Sequence, residues 1–249
     1  MRNLKGKVSV IIPAYNEAGR IEASLEETIK TFNEFGCRYE IIVVDDGSGD
    51  DTLTKLRNFA ARHPQVIVTE NKTNFGKGRA LKKGFRFCSG EWVVFLDADL
   101  SLHPEQIATF FNIMRLDDAD VVIGSKFHPN SKLNYPIPRR VLSLGYYYFT
   151  KFLFDLPVRD TQTGLKLFKY EVLKNIFPRI LVKQFAFDVE VLVNAYRLGY
   201  KIVEAPVFLT THWPSSVRLN SVWTIWVDTL AIFYRTYILR YYDKPYNKL

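Results

Sequence analysis

The chain has 249 residues, 34 Lys and Arg against 26 Asp and Glu, a net charge of +8, and 47% hydrophobic and 15% aromatic residues. Nearly half apolar and only 24% charged, it can bury a substantial core, which excludes an intrinsically disordered chain and fits one large domain or two small ones. Cys37 and Cys88 lie outside any CxxC or Cys/His spacing, against a zinc module or disulfide scaffold, and the basic surplus calls for an anionic partner: nucleic acid, a phosphorylated substrate or acidic lipid headgroups.

The first residues lead into a strand, without the apolar core and small-residue cleavage site of a signal peptide. Short β-branched runs then alternate with helix-length amphipathic segments. Residues 8–13, 39–44, 66–69, 92–96 and 121–124 are nearly continuous in apolar character, as strands buried on both faces are. Helices are expected at 17–35, 51–62, 77–87 and 104–114, the last with proline near its first turn. This alternation predicts an α/β fold with a doubly wound, mostly parallel sheet, whose ligands sit beyond the carboxyl ends of its strands. After residue 126 the alternation stops. Residues 127–138 read as a proline-rich loop, 139–154 as an aromatic helix, 160–164 as a turn and 187–198 as a helix. Residues 201–211 read as a strand interrupted by Pro206, and 222–242 as a final helix. No charge-free apolar run approaches the roughly 18–20 residues of a spanning helix.

Four expected strand ends carry polar chemistry, the fifth run among them with Gly124-Ser125-Lys126. Asp97-Ala98-Asp99 places two carboxylates at i and i+2, on one side of the strand end, where both can face a hard divalent cation that prefers oxygen ligands and bridges to phosphates; a solvated turn would show the same residues. Asp45-Asp46-Gly47-Ser48 supplies a carboxylate for a nucleobase or ribose hydroxyl, or a helix cap, a role open to Ser48 and Asp50 as well. In Pro13-Ala14-Tyr15-Asn16-Glu17 a proline stops strand pairing before an aromatic face suited to stacking on a base, or marks an ordinary strand-to-helix turn. Gly76-Lys77-Gly78 opens a helix as a phosphate loop would, but lacks the GxxxxGK[ST] spacing.

Taken together, PAYNE, VVDDGS, NFGKGRA, FLDADLS, GSK, RRVLS and DTQTG occur in an order that resembles the family-2 inverting glycosyltransferases of GT-A fold, over roughly residues 7–220. Within them the chain looks closest to the polyprenyl-phosphate group, the dolichyl-phosphate mannose synthases and dolichyl- or undecaprenyl-phosphate glucosyltransferases. The resemblance implies transfer of a hexose from UDP-glucose or GDP-mannose to a polyprenyl phosphate, assisted by Mg²⁺ or Mn²⁺. It implies that Pro13, Tyr15, Glu17, Val44 and Asp46 hold base and ribose, with Lys77 and Ala98 in the same donor site, and that Asp97 and Asp99 serve ribose, diphosphate and metal. Ser101 stands where mannose synthases commonly have a metal-binding glutamine. Arg139 and Ser143 match an arginine and a serine that bind the lipid phosphate. Lys126 replaces the usual arginine, keeping the charge and losing the bidentate fork. His212 and Arg218 fall on a basic pair near the donor diphosphate. The resemblance implies a catalytic domain at 1–220, with a nucleotide half at 1–126 and an acceptor half at 127–220, and 221–249 is expected to be a C-terminal amphipathic, membrane-interfacial helix.

A lipid phosphate is already an oxyanion at neutral pH and needs no base. It needs positioning and charge compensation, for which Lys126, Arg139 and Arg140 are candidates, with Asp160 orienting sugar or phosphate or serving only as a turn residue. A hydroxyl acceptor would instead require a base, and Asp188 or Glu190 would be the nominee. Phe187-Asp188-Val189-Glu190 and DTQTG lean toward the glucosyl branch. The aromatic run at 146–154 beside Arg139 and Arg140 suits a lipid, or a core helix with wet tyrosine hydroxyls. In the last helix, Ser221, Thr224, Asp228 and Arg235 form a polar stripe and the remainder is apolar, as in a helix lying at a membrane surface or docked on the domain. The expected place is the cytoplasmic face of a membrane, held peripherally. A nucleic-acid partner is not expected, because the basic residues are scattered and strand-end carboxylates repel phosphate.

Overall fold

A computed structural model describes residues 6–132, 137–184, 186–209 and 219–243, without the side chains of 137–139 and 219–222. Valine and isoleucine fill β1 (Lys7–Ala14) and β2 (Arg38–Asp45), where Val8, Val10, Ile11, Ile12, Ile41, Ile42, Val43 and Val44 are all fully buried. Successive side chains point to opposite faces, so the strands need apolar layers on both sides. Ile11, Ile42 and Val44 join one core with Leu81 and Phe187, and Val10, Ile12 and Val43 join the other with Leu25 and Phe110.

These strands belong to a seven-stranded sheet of order β3-β2-β1-β4-β6-β5-β7, completed by β3 (Val66–Glu70), β4 (Trp92–Phe95), β5 (Val121–Ser125), β6 (Lys166–Lys169) and β7 (Ile202–Pro206). Only β6 is antiparallel, to β4 on one side and β5 on the other. The helices are α1 (Ile21–Phe35), α2 (Thr52–Ala60), α3 (Lys77–Phe85), α4 (Ile107–Leu116), α5 (Ile137–Phe154), α6 (Tyr170–Ile176), α7 (Phe187–Arg197) and α8 (Leu219–Phe233). α3 approaches the sheet closely because Gly84 faces Ile11 and Val44, and it meets α7 where Gly78 lies against Phe187. Two of the glycines in this region therefore serve helix packing.

Four residues with lysine at each end concealed β6 from periodicity, and its direction organises the molecule. Because β6 runs backwards, its first residue lies at the rim where β4 and β5 end. The turn leading into it, residues 160–165, is thereby placed beside Asp97 and Lys126. β6 and β7 complete the same sheet as β1 to β5, so the chain before and after residue 126 shares one layer.

The expected single helix at 222–242 is broken. α8 ends at Phe233, a π-helical turn follows at Tyr234–Ile238, and a short 3₁₀ turn at Tyr241–Asp243 ends the described chain. α8 and its continuation bury Thr229, Ile232, Thr236 and Tyr242. Trp226 packs on Tyr146 and Phe149 of α5, and Phe233 on Phe154. Arg235 leaves the expected solvent stripe and turns inward, 3.5 Å from Glu190. Among the described residues no helix is long and apolar enough to cross a membrane.

Candidate active site

The ends of β1, β2 and β4 and the start of α3 enclose a cavity of about 440 Å³, lined by Pro13, Ala14, Tyr15, Glu17, Asp46, Asn74, Gly76, Lys77, Asp97, Ala98, Asp99 and Gln184. Most of the expected donor residues therefore meet in one place. Val44 does not: it is fully buried in the core under α3 and is absent from the cavity wall. Arg218 and His212 lie outside the described residues, as does the side chain of Arg139. Ser143 lies half-buried on α5.

The first wall is cross-linked between two strand ends. Asn16, in the left-handed region with φ 56°, accepts at its side-chain oxygen from Gly49 N–H at 2.8 Å, and its own N–H donates to Ser48 Oγ at 2.9 Å. This pins Tyr15 at the rim, where the residue is 46% exposed. Asp50 accepts from the N–H groups of Thr52 and Ala18, tying the start of α2 to the turn after β1, while the N-cap Asp51 makes no side-chain cap bond.

Asp46 ties β2 to the next loop. Its carboxylate accepts from Asn71 Nδ2 at 2.7 Å, Phe75 N–H at 3.2 Å and Gly76 N–H at 2.7 Å. A carboxylate has about four acceptor sites, so it retains capacity for one ligand donor. Gly47, at φ 72°, allows this loop to pass: a Cβ there would overlap the Thr73 backbone.

At the opposite wall, Lys77 Nζ donates to Asp97 Oδ1 at 2.5 Å. Burial alone would raise the Asp97 carboxyl, but Lys77, with Lys166 and Lys126 beyond it, holds it below the ordinary carboxylate range. Its other oxygen rests on Gly164, where any Cβ would collide with the carboxylate. Asp99 Oδ1 accepts from Ser101 N–H at 2.9 Å. Asp97 and Asp99 thus offer an all-oxygen pair on the cavity wall. Among the described residues no cluster of three or more His, Cys, Asp or Glu could hold a metal. Two carboxylates fit a hard divalent cation that takes its remaining ligands from diphosphate oxygens and water.

Beyond Asp97 the turn before β6 assembles a second charged group. Asp160, almost fully buried, accepts from Lys126 N–H at 2.9 Å, Gln162 N–H at 3.0 Å and Thr163 Oγ1 at 2.6 Å, and lies 3.4 Å from Lys126 Nζ. The carboxylate is therefore both the organiser of the turn and the counter-ion of Lys126. Burial works to raise its pKa, but Lys126 and these hydrogen bonds keep it lowered. Glu204 of β7 holds the turn from below, accepting from Arg159 and Asp160 N–H at 2.6 and 3.0 Å.

Lys166, 1% exposed, escaped the sequence reading because a lysine between apolar residues looks like a surface position. It donates to Asp188 at 2.7 Å and to Thr163 O at 2.5 Å. Asp188 is thus buried and paired. Glu190 is fully buried, with its carboxylate held by Leu181 and Val182 N–H and by Tyr242 Oη. Both nominees for a general base are therefore buried and engaged by other groups of the chain.

Residues 9–177 match the model of the glycosyl transferase family 2. The chain belongs to that family. A dolichyl-phosphate beta-glucosyltransferase of Dictyostelium discoideum is 34% identical over 80% of this chain. The match spans 65% of the Dictyostelium protein's length, so the chain covers slightly less than two thirds of that relative. A dolichyl-phosphate beta-glucosyltransferase of Trichomonas vaginalis is 32% identical over 92% of this chain and 74% of its own. The fold of this family 2 glycosyltransferase, GT-A, is shared with solved structures. Glucosyl-3-phosphoglycerate synthase from Mycobacterium tuberculosis, in complex with Mn²⁺, UDP-glucose and phosphoglyceric acid, aligns at TM-score 0.69 with 20% identity, over 99% of this chain and 83% of that one.

Proposed function

We propose that this glycosyltransferase moves a hexose, with inversion, from a nucleotide-diphosphate sugar to a polyprenyl phosphate. Transfer of glucose to a dolichyl-type phosphate is the form favoured by the relatives' names. The observation that carries the acceptor class is the state of Asp188 and Glu190, both buried and engaged. An acceptor that arrives ionised needs no base, and a phosphate monoester does so at neutral pH.

In this reading Tyr15 stacks on the base, Asp46 accepts from base or ribose, and Pro13 and Glu17 shape that end of the cavity. Asp97 and Asp99 would hold Mg²⁺ or Mn²⁺ together with the diphosphate, beside the turn before β6, and such a cation would supply charge stabilisation for the departing nucleoside diphosphate. Lys77 supplies a second positive charge to the same diphosphate. Lys126, fixed by Asp160, and Arg139 with Ser143 bind the acceptor phosphate and aim one oxygen at the anomeric carbon from the opposite side. Arg218 is assigned to the donor diphosphate from its place in the family's order of motifs.

The acceptor's apolar tail requires a membrane surface. α5 and α8 pack side by side and carry exposed apolar side chains, among them Phe152 at 87% and Trp223 at 73%. Aromatic and aliphatic groups of this kind, with arginine and lysine nearby, suit the headgroup region of a bilayer. On this basis the face formed by α5 and α8 is the one that meets the membrane surface.

The test offers purified protein UDP-glucose or GDP-mannose, Mg²⁺ or Mn²⁺, and a short-chain polyprenyl phosphate. A β-linked lipid phosphate sugar is expected from one donor. Transfer to simple sugars but not to the lipid phosphate would overturn the acceptor assignment.

A further inference from the structure

Glu190 is a buried titratable group that the transfer chemistry does not use, yet two separate parts of the chain meet on it. From one side, Leu181 and Val182 N–H donate to Oε2 at 3.1 and 2.7 Å. From the other, Tyr242 Oη donates to Oε1, Arg235 stands 3.5 Å from the same oxygen, and Arg235 Nε donates to Tyr242 Oη at 3.2 Å. Tyr242 is itself buried, and its carbonyl accepts from Arg179 Nη1 at 2.7 Å. A carboxylate removed from water costs several kcal/mol unless partners surround it. Within such a network the loss of one partner is felt by the others.

The strand of chain on the near side, residues 180–184, lies over the start of α3. Lys82 Nζ donates to Ile180 O at 2.9 Å, and Arg79 N–H to Lys183 O at 3.2 Å. Gly76, at φ 95°, has room for this strap only because it lacks a Cβ, which would stand 2.8 Å from Lys183 O and 2.9 Å from Gln184 Cγ. Gln184 then lines the cavity beside Gly76 and Lys77.

We infer that residues 234–243 brace the donor cavity through Glu190: Tyr242 and Arg235 hold Glu190, Glu190 holds the backbone of Leu181 and Val182, and the strap carries Gln184 to the cavity wall. Tyr242 and Glu190 are positioning residues that touch no substrate. Donor affinity then depends on a segment remote from the donor and continuous with α8. The inference rests on the reading of the cavity as the donor site.

The test is Tyr242→Phe, which keeps the ring and removes the hydroxyl, with Glu190→Gln as a second variant. Hydrogen exchange is followed at the Leu181 and Val182 amides, and affinity for UDP and GDP with Mn²⁺ is measured by calorimetry. In Tyr242→Phe these amides exchange roughly tenfold faster, and nucleotide binds roughly three- to tenfold more weakly. The weakening disappears when Gln184→Ala is already present, as a double-mutant cycle reveals. Unchanged exchange at both amides in both variants overturns the brace. Faster exchange with unchanged nucleotide affinity overturns its link to the cavity and leaves a purely structural contact. Wild-type protein that binds neither nucleotide overturns the donor reading instead, and amide exchange still decides whether the brace exists.

Discussion

Replacing Gly164 with alanine isolates the placement of Asp97. A Cβ at Gly164 would occupy the space of the Asp97 carboxylate, overlapping Oδ2 and Cγ. The backbone at Gly164 lies outside the left-handed region, so alanine introduces no dihedral strain, and a shorter menu of unfolded conformations stabilises the fold by about 0.4–1 kcal/mol. The clash falls on a side-chain terminus, which can rotate while the sheet stays intact. Rotation separates Asp97 from Lys77, now 2.5 Å away. A charge-assisted hydrogen bond contributes about 1.5–3 kcal/mol, which corresponds to a loss of about 10- to 150-fold if it all falls on donor binding and transfer. Overpacking costs about 1–3 kcal/mol of stability, offset in part by the backbone term. The assay is transfer rate against donor concentration, with Mn²⁺–UDP affinity and thermal unfolding measured alongside. A folded Gly164→Ala protein with wild-type nucleotide affinity and rate would show that the Asp97 carboxylate is not positioned by this turn.

Three further outcomes are expected. Asp160 has a lowered pKa, so the folded state binds its proton less readily than the unfolded state. Its stabilisation is complete above the ordinary value of 3.8 and is lost as pH falls through the folded-state value; Asp160→Asn should therefore show a shallower acid limb in denaturant titrations, and an identical limb would refute the pairing. Lys166→Met leaves Asp188 buried without its cation and should cost about 3–5 kcal/mol in urea unfolding, whereas a loss under about 1 kcal/mol would mean that the pair is readily replaced by water. Phe152→Ser combined with Trp223→Ser should weaken liposome flotation while leaving nucleotide affinity unchanged; undiminished flotation would remove these residues from the membrane face.

Much of the nucleotide half was legible because its signals are local. β1, β2 and β4 lie within a residue or two of their apolar runs, with Asp46 just past β2 and Asp97 and Asp99 just past β4. What escaped was fixed by distant partners. Lys166 is buried because Asp188, 22 residues on, neutralises it, so β6 shows no apolar signature. Arg235 reads as a solvent residue until Glu190 and Tyr242 are seen beside it. Val44 lies within β2 and packs in the core under α3, whereas Asp46 stands just past the strand end where the chain turns toward the next loop, a difference that a motif does not record. The glycines of the Gly76–Gly78 loop resemble phosphate contacts, whereas Gly76 clears the strap and Gly78 clears Phe187.

The reversed strand β6 also has a consequence for variation within the family. The excursion from Ser125 to Lys166 leaves the sheet and re-enters it at the same rim, so its length is not dictated by the spacing of the strands it joins. That segment can lengthen, shorten or exchange its aromatic content while Asp46, Asp97 and Asp99 keep their register. Under the proposed function, a single sugar-activation chemistry is matched to new recipients by editing one detour.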